Sequence, residues 1–339
     1  MFLKCLIGHI SCDNGQMKTF LVLATEGILD SGLAITLDIL RTANFLIERN
    51  HESQNFRIIT AGHRKKIRTG AGLELTCDYT FQQLLRAEVE ADWVLLPGSG
   101  KKLLAELEAS LSSKEILQAM DVLKHYAERG SCLSVSCAST FMLAEAGLLK
   151  GRAATTSWWL ATAFRQRYPD VILDEAKMLV RDGNILTAGA VFSQMDVVLD
   201  IVAEVVGSNI AYLCSRYLLI EQRSSQARFM IPTQNQHLDP IVIAAEKWID
   251  KNIARPLTVQ ELASQFAVST KTLSRKIQEA TGDSTIKFIQ RRKLMRAVHL
   301  LESTNLSIEI VAERVGYQNG TMLRHLVKRE LGVLPGGIR

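Results

Sequence analysis

One cysteine of the chain stands where a thiol could attack a substrate or contact a ligand. Residues 133–136 have the apolar pattern of a buried strand, and a helix is predicted over residues 138–146. Cys137 and Ala138 therefore lie on a tight elbow between a strand and a helix. A cysteine near a helix N-terminus is favoured as a thiolate, so this elbow is a candidate site.

Two loops are predicted to lie beside this elbow. Asp30 follows the first strand, and residues 97–100 form a glycine-rich loop, containing Gly98 and Ser99, after another strand. Ligands of parallel α/β sheets bind at the carboxyl ends of the strands, where such loops meet. We therefore expect these loops near Cys137, although a solvated or helix-capping role would also explain the aspartate.

Strand-like apolar runs alternate with helical patterns through the first two hundred residues. The helix predicted over residues 35–48 has Ile35, Ile39 and Phe45 among its inward positions. The other segments are strands near residues 20–24, 56–60, 73–76, 93–96, 133–136 and 185–189, and helices over residues 113–129, 138–146 and 192–207. This alternation predicts a parallel α/β sheet that is covered by helices on both faces.

The last quarter of the chain contains one short helical unit twice, over residues 258–282 and 307–332. Thr258 and Leu262 of the first copy match Ser307 and Val311 of the second at an offset of 49. Each copy is typical of a helix capped by Thr or Ser, a turn of about four residues, a second helix and a terminal glycine. The pattern predicts two helix-turn-helix units.

The second helix of each unit has polar side chains between its apolar positions, which suits a helix that enters a major groove. These side chains are Lys271, Ser274 and Arg275 in the first unit, and Thr321, Arg324, His325 and Lys328 in the second. A helix over residues 286–301 would be roughly 24 Å long and could set the two units about one DNA turn, ~34 Å, apart. Double-stranded DNA is thus the predicted partner, the alternative being a basic bundle with solvated side chains.

Charge and cysteine content support the same division of the chain. Residues 236–339 carry 16 Lys and Arg against 10 Asp and Glu, whereas residues 1–235 carry 24 against 25, so the positive charge lies where phosphates would be bound. The six cysteines are far apart, with no paired spacing for zinc, which favours reduced thiols in a cytoplasm. We expect no cofactor and no metal. We also expect no membrane span, because no apolar run reaches about 18 residues.

The C-terminal part resembles the DNA-binding domain of the AraC family of transcription regulators. The matching residues are Leu262, Ala263, Ser269, Leu273, Arg275, Gly282, Ser284, Lys293, Leu294, Ala297, Ile308, Ala312, Gly316, Tyr317, Gly332, Pro335 and Arg339. Thr285, Leu323, Val327 and His325 depart from the residues usual in the family. The resemblance implies a transcription regulator that contacts RNA polymerase, and it favours activation over repression.

Residues 20–230 resemble the class I glutamine amidotransferase-like superfamily, in its PfpI-type form fused to AraC-type regulators. The most specific run is residues 137–159. The resemblance implies a flavodoxin-like parallel sheet. The family's histidine falls in a Thr-Thr-His-Trp motif that here has Ser157 in place of the histidine, and serine cannot exchange a proton at neutral pH as imidazole does. We therefore expect no catalytic residues and a domain that senses a ligand.

Several roles for Cys137 remain open: a buried small residue, a thiol that contacts a ligand, a redox sensor, or the nucleophile of a cysteine-dependent amidase or hydrolase. An exposed Trp158 beside a carboxylate would suit a cationic amine. Related regulators respond to amino-acid-like or quaternary-amine metabolites, which implies the same effector class. The predicted effector site consists of Asp30, Gly98, Ser99, Cys137, Ala138, Ser157 and Trp158.

The predicted organisation is an N-terminal extension (1–18), a sensing domain (19–220), a polar linker (221–238) and a DNA-binding domain (239–339). We expect a homodimer in which a small effector changes how the two DNA-binding domains are held. A ligand can do so only by binding one arrangement more tightly than the other.

Overall fold

The structure is a computed structural model that describes residues 17–50, 55–87, 89–101, 103–221, 223, 225–226, 229–230, 239–331 and 333–338. Residues 1–16 of the predicted extension, residues 231–238 of the predicted linker, and Gly332 and Arg339 lie outside the described residues.

The strands are β1 (Thr19–Ala24), β2 (Arg57–Gly62), β3 (Lys66–Arg68), β4 (Glu74–Thr76), β5 (Tyr79–Thr80), β6 (Trp93–Leu96), β7 (Cys132–Ser136), β8 (Ala153–Ala154), β9 (Ile172–Leu173), β10 (Leu179–Asp182) and β11 (Ile185–Ala188). The helices of the first part are α1 (Asp30–Arg49), α2 (Phe81–Arg86), α3 (Leu104–Leu111), α4 (Lys114–Glu128), α5 (Thr140–Glu145), α6 (Ala161–Arg167), α7 (Ser193–Val206) and α8 (Ser208–Tyr217). The helices of the second part are α9 (Pro240–Lys251), α10 (Val259–Gln265), α11 (Thr270–Thr281), α12 (Thr285–Ser303), α13 (Ile308–Arg314) and α14 (Gly320–Leu331).

The predicted parallel sheet is present. In the described part of the chain, seven strands pair in the order β10-β11-β7-β6-β1-β2-β5, and all neighbours are parallel except β10 and β11. Phe20 of β1 pairs with Ile58 of β2 on one side and with Trp93 of β6 on the other. The segment predicted as a strand near residues 73–76 is β4, which instead forms a separate antiparallel hairpin with β3.

Both faces of the sheet are buried. Leu21 and Leu23 of β1 join the core formed with α2 to α6, whereas Phe20 and Val22 join the core formed with α1, α7 and α8. Successive residues of a strand point to opposite faces, and helices cover both faces here, so β1 is apolar throughout. Phe45, predicted to point inward from α1, is 51% exposed and stacks edge-on with Tyr217 of α8. That prediction was wrong because a different face of α1 packs into the core that it shares with α7 and α8.

Two helix-turn-helix units follow, α10–α11 and α13–α14. The hydroxyls of Thr258 and Ser307 accept hydrogen bonds from the backbone N–H of Glu261 and Ile310, so both predicted helix caps are confirmed. Gly282 ends α11 in the left-handed conformation, with φ of 73°, where glycine avoids the strain of a Cβ atom.

Helix α12 packs against both units. Phe288 and Ile289 lie in the core of the first unit, while Leu294 and Val298 lie in the core of the second. Lys293 adds a polar link, because its Nζ donates to the carbonyl oxygens of Arg255, 3.3 Å away before the first unit, and Gly316, 3.1 Å away in the turn of the second. The positions of the two units therefore depend on this one helix.

Replacement of Lys293 by Met should lower the melting temperature of the DNA-binding half. The change leaves two carbonyl oxygens without their donor, and each such loss costs about 1–3 kcal/mol. Circular dichroism during heating would measure the shift. Arg296→Met, at an exposed position of the same helix, is the matched control and should melt like the wild type. Equal melting of both variants would show that Lys293 does not link the units.

Candidate functional site

The elbow predicted at Cys137 is present. Strand β7 ends at Ser136, Cys137 has a φ of 58°, and a 3-10 turn over Cys137–Ser139 leads into α5. A residue with a Cβ atom in this region of φ costs about 1–2 kcal/mol relative to ordinary backbone. Such strain persists only where the surrounding structure imposes it, and it is found most often at functional sites.

Hydrogen bonds from three directions impose the strained elbow. Ser139 donates its hydroxyl to the Pro97 carbonyl at 2.9 Å, Thr156 donates to the Cys137 carbonyl at 2.8 Å, and Ser136 donates to Gln194 at 2.6 Å. The loop after β6, the segment after β8 and helix α7 thereby meet at the elbow. This is the carboxyl end of the sheet, where the sequence placed the site.

The sulfur of Cys137 faces a serine and no base. Its Sγ lies 2.9 Å from Ser157 Oγ, and the residue is only 2% exposed. Burial raises the pKa of the Cys137 thiol, and the hydrogen bonds from Ser157 and the Ala138 backbone offset only part of that rise. The predicted preference for thiolate was therefore wrong, because desolvation of the sulfur outweighs the helix terminus.

The glycine-rich loop packs directly onto the elbow. A Cβ atom at Gly98 would lie 2.7 Å from Cys137 Cβ and 3.4 Å from Leu29 Cδ1. Ser99, also buried, forms a bridge with Ile28 and accepts a hydrogen bond from the backbone N–H of Lys101. Gly98 is thus at the sulfur as expected, and Cys137 is buried where this loop meets the elbow.

Asp30 is bound to the β3–β4 hairpin. Its carboxylate accepts hydrogen bonds from the Thr69 hydroxyl and, at 2.8 Å, from the Ala71 backbone N–H. The Thr69 hydrogen bond holds the pKa of Asp30 below its usual value. In the described part of the chain its hydrogen-bond partners are on this hairpin and none on the elbow, so Asp30 orients the hairpin.

Trp158 does not line an open pocket. It is 6% exposed, packs against Met230 and Met295, and meets Trp159 edge-on with ring centroids 5.3 Å apart. The aromatic face that the sequence offered to a cationic amine is therefore covered. Met295 belongs to α12, so Trp158 joins the two halves of the protein.

Gln226 is a second polar anchor, which sequence reasoning missed. Its Oε1 accepts from the Ala190 backbone at 2.9 Å, and its Nε2 donates to the Thr156 carbonyl at 3.0 Å. A Cβ atom at Gly189 would come within 2.4 Å of this amide. Part of the predicted linker is therefore fixed to the sheet domain beside Ser157. The one sequence signal for this anchor was the glycine, Gly189, at the end of a strand.

The recognition helix of the first unit exposes two of its three predicted DNA contacts. Lys271 and Arg275 are exposed on α11, and Arg275 pairs with Glu279 on the same helix. Ser274 is half-buried, with its hydroxyl 3.0 Å from that of Thr285 at the start of α12. Ser274 therefore holds two helices together, which the sequence pattern did not reveal.

The recognition helix of the second unit, α14, exposes Thr321, Arg324, His325 and Lys328, as expected. Arg324 Nη2 is 2.7 Å from a carboxylate oxygen of Glu309 on α13, which orients the guanidinium. Sequence reasoning missed Met322, which is 49% exposed in the first turn of α14. N-terminal residues of a recognition helix contact base edges, and an apolar side chain there suits a thymine methyl group.

Comparison with known proteins also divides the chain into an N-terminal part and a C-terminal part. The DJ-1/PfpI family model matches residues 18–204, more than half of the chain. The chain belongs to the DJ-1/PfpI family. A helix-turn-helix domain model of AraC type matches residues 262–339.

The curated relatives described here are HTH-type transcriptional regulators. The HTH-type transcriptional regulators CdhR and ArgR of Pseudomonas aeruginosa are 28% and 27% identical over 181 and 216 residues. GlxA of Rhizobium meliloti, also an HTH-type transcriptional regulator, is 27% identical over 202 residues. These matches cover 52%, 63% and 59% of this chain and 54%, 65% and 62% of the relatives, so the chain spans less than two thirds of their length.

Among solved structures, a protein of Vibrio parahaemolyticus superposes with a TM-score of 0.51 at 22% identity, covering 60% of this chain and all of that one. The likeness shows that the fold of the DJ-1/PfpI domain is shared. Within the residues described, no helix combines the length and apolarity needed to cross a membrane, and no cluster of His, Cys, Asp and Glu is arranged to hold a metal ion.

Alkylation of Cys137 in the DJ-1/PfpI domain should be slow at neutral pH. The sulfur is buried, and that burial raises the pKa of the thiol, so little thiolate is present at neutral pH and the rate should increase as the pH rises. Peptide-resolved mass spectrometry after iodoacetamide treatment would measure the rate, with the urea-unfolded chain as control. Rapid modification at pH 7 in the folded protein would contradict the burial of the sulfur.

Proposed function

We propose that the protein is a sequence-specific DNA-binding transcription regulator, an activator by family analogy. A small metabolite bound in its DJ-1/PfpI domain controls it. The observation that carries the proposal is the pair of helix-turn-helix units, joined by α12, whose recognition helices expose Lys271 on one and Arg324 on the other. The positive charge of residues 236–339 supports binding to phosphates.

The elbow supports a sensing role over a catalytic one. A cysteine hydrolase needs a base beside its sulfur, and Cys137 has Ser157 there at 2.9 Å. A redox sensor needs an accessible thiolate, whereas this thiol is buried and that burial raises its pKa. A metabolite would bind at the carboxyl edge of the sheet by moving Leu29 or Ser157 away from the sulfur. The cytoplasm, where regulators of this kind act on DNA, is the proposed location, with a homodimer and RNA polymerase as partners.

The effector class is proposed from the analogy with related regulators: an amino-acid-like or quaternary-amine metabolite. The residues around the sulfur are neutral, and Trp158 is turned away from solvent, so the site offers polar hydroxyls and amides more than an aromatic cage. A thermal-shift screen of the full chain with amino acids, betaines and polyamines tests the class. If none of these compounds changes the melting temperature, the proposed effector class is wrong.

The double variant Lys271→Ala/Arg324→Ala should lose specific binding to the promoter beside its own gene, by about 100-fold or more. Each base contact contributes about 1–3 kcal/mol, and the two helices act together. Gel-shift titration at rising salt measures the loss. Lys124→Ala/Arg129→Ala removes the same charge from an exposed part of α4 and its end, and should bind like the wild type. Equal binding of both double variants would refute the assigned recognition helices.

Amidase and glyoxalase assays should give no turnover that depends on Cys137. The wild type and Cys137→Ser should be indistinguishable, because neither has a general base beside residue 137. A rate that Cys137→Ser abolishes would replace the proposed sensing domain with a cysteine-dependent enzyme.

A further inference from the structure

A buried contact joins the DJ-1/PfpI domain to the DNA-binding half in addition to the chain itself. The domain contributes Trp158, Arg165 and Glu175, and α12 contributes Arg291 and Met295. We call these five residues the interdomain contact.

The ionic part of this contact centres on Glu175, which is 4% exposed. One of its oxygens lies 2.8 Å from Arg291 Nη1, and the other is bound by Arg165. Arg291 also pairs with Asp283 at 3.0 Å. Burial raises the pKa of Glu175, but the two guanidinium groups outweigh it and hold the pKa below its ordinary value. Removal of Arg291 would take away one of the two cationic partners of Glu175 and the partner of Asp283 at a buried position, which is unfavourable.

The apolar part lies beside the ionic part and has room to rearrange. Trp158 packs against Met295 of α12 and Met230 of the anchored segment. Both methionines border a cavity of about 30 Å³, and methionine has three rotatable bonds with which it can adapt to new neighbours. Arg165 also lies close to the turn between α11 and α12, since a Cβ atom at Gly282 would be 2.6 Å from its Nε.

The contact begins one residue from the sulfur site. Ser157 touches Cys137, the next residue is Trp158, and the 3-10 turn Trp158–Leu160 leads straight into α6, which carries Arg165. Gly98 packs against the elbow, since a Cβ atom there would lie 3.4 Å from the Cys137 sulfur. Ser157 is fully buried and directly precedes this turn, so a displacement of its backbone would shift Trp158 and the start of α6.

Movement of the contact affects both DNA-binding units, because α12 lies in the cores of both. Helix α6 packs against α11, yet Lys271 and Arg275 of α11 and Arg324 of α14 remain exposed. The interdomain contact determines the orientation of α12, and of the two units packed on it, relative to the DJ-1/PfpI domain.

We propose that an occupant at the Cys137 elbow displaces Ser157 and thereby loosens the interdomain contact, which frees α12 and its two helix-turn-helix units to reorient relative to the DJ-1/PfpI domain. This inference rests on the proposed regulatory function and specifies how its effector acts. In a pair of chains joined through their DJ-1/PfpI domains, the contact selects the spacing between the DNA half-sites that the pair accepts.

The ionic part is tested in the full chain by Arg291→Gln, with Arg296→Gln on the same helix as control. Hydrogen exchange of α6 and of the first half of α12 should become about tenfold faster in Arg291→Gln, because the buried pair that restrains local opening is lost. Exchange in α13 and α14 should stay as in the wild type. Wild-type exchange of α6 and α12 in Arg291→Gln would overturn the proposal.

The link to the elbow is tested by Ser157→Leu, whose larger side chain stands in for an occupant. It should speed exchange in α6 and α12 as Arg291→Gln does. Ala43→Leu, in the core on the opposite face of the sheet, overpacks the same domain and should leave α12 unchanged. If both leucine variants accelerate α12 equally, general destabilisation explains the effect and the proposed link is wrong.

Gel shifts on DNAs with half-sites at graded spacings complete the test. The wild type should prefer one spacing, and both Arg291→Gln and Ser157→Leu should accept several, with selectivity reduced about tenfold as expected when a rigid connection becomes flexible. An unchanged spacing profile would refute the role of the contact in DNA selection. A wild type that binds none of these DNAs refutes the proposed function instead, while the exchange experiments still decide whether the elbow controls the contact.

Discussion

The burial of helix α12 on several sides is the constraint on which the arrangement of this protein depends. One stretch of the helix completes the core of the first helix-turn-helix unit and a later stretch completes that of the second. Met295 and Arg291 meet the DJ-1/PfpI domain. A closely packed helix transmits displacement, because interiors have low compressibility. The same helix therefore joins the two helix-turn-helix units to each other and both to the DJ-1/PfpI domain.

The DJ-1/PfpI domain has a strained elbow at Cys137, whose sulfur is buried beside a serine. Cys137 keeps its positive φ, and hydroxyls of Ser139 and Thr156 still support the turn. Yet the sulfur faces the hydroxyl of Ser157, and Gly98 packs against this buried cysteine. The geometry of a nucleophile without its base is suited to detecting whether the adjacent space is occupied, and Ser157 connects that space to Trp158.

Polar groups carry much of the specificity in this fold. Gln226 fixes a segment that follows α8 to the carbonyl of Thr156, and Glu175 lies between two guanidinium groups at the domain boundary. Buried polar groups are costly unless their partners are in place. Such groups therefore favour one arrangement of segments over others that would bury the same apolar area, and they are sensitive to displacement of a single neighbour.

Local patterns in the sequence determined the alternating sheet, the elbow at Cys137, the helix caps at Thr258 and Ser307, and the exposure of Arg324, since each depends on residues close in the chain. Tertiary structure alone decided that Phe45 faces solvent, that Asp30 binds the β3–β4 hairpin, that Ser274 bonds to Thr285, and that Trp158 packs against Met295. The reason is physical: the environment of a side chain, including whether a thiol is desolvated, is set by elements distant in the chain, whose positions no local periodicity encodes.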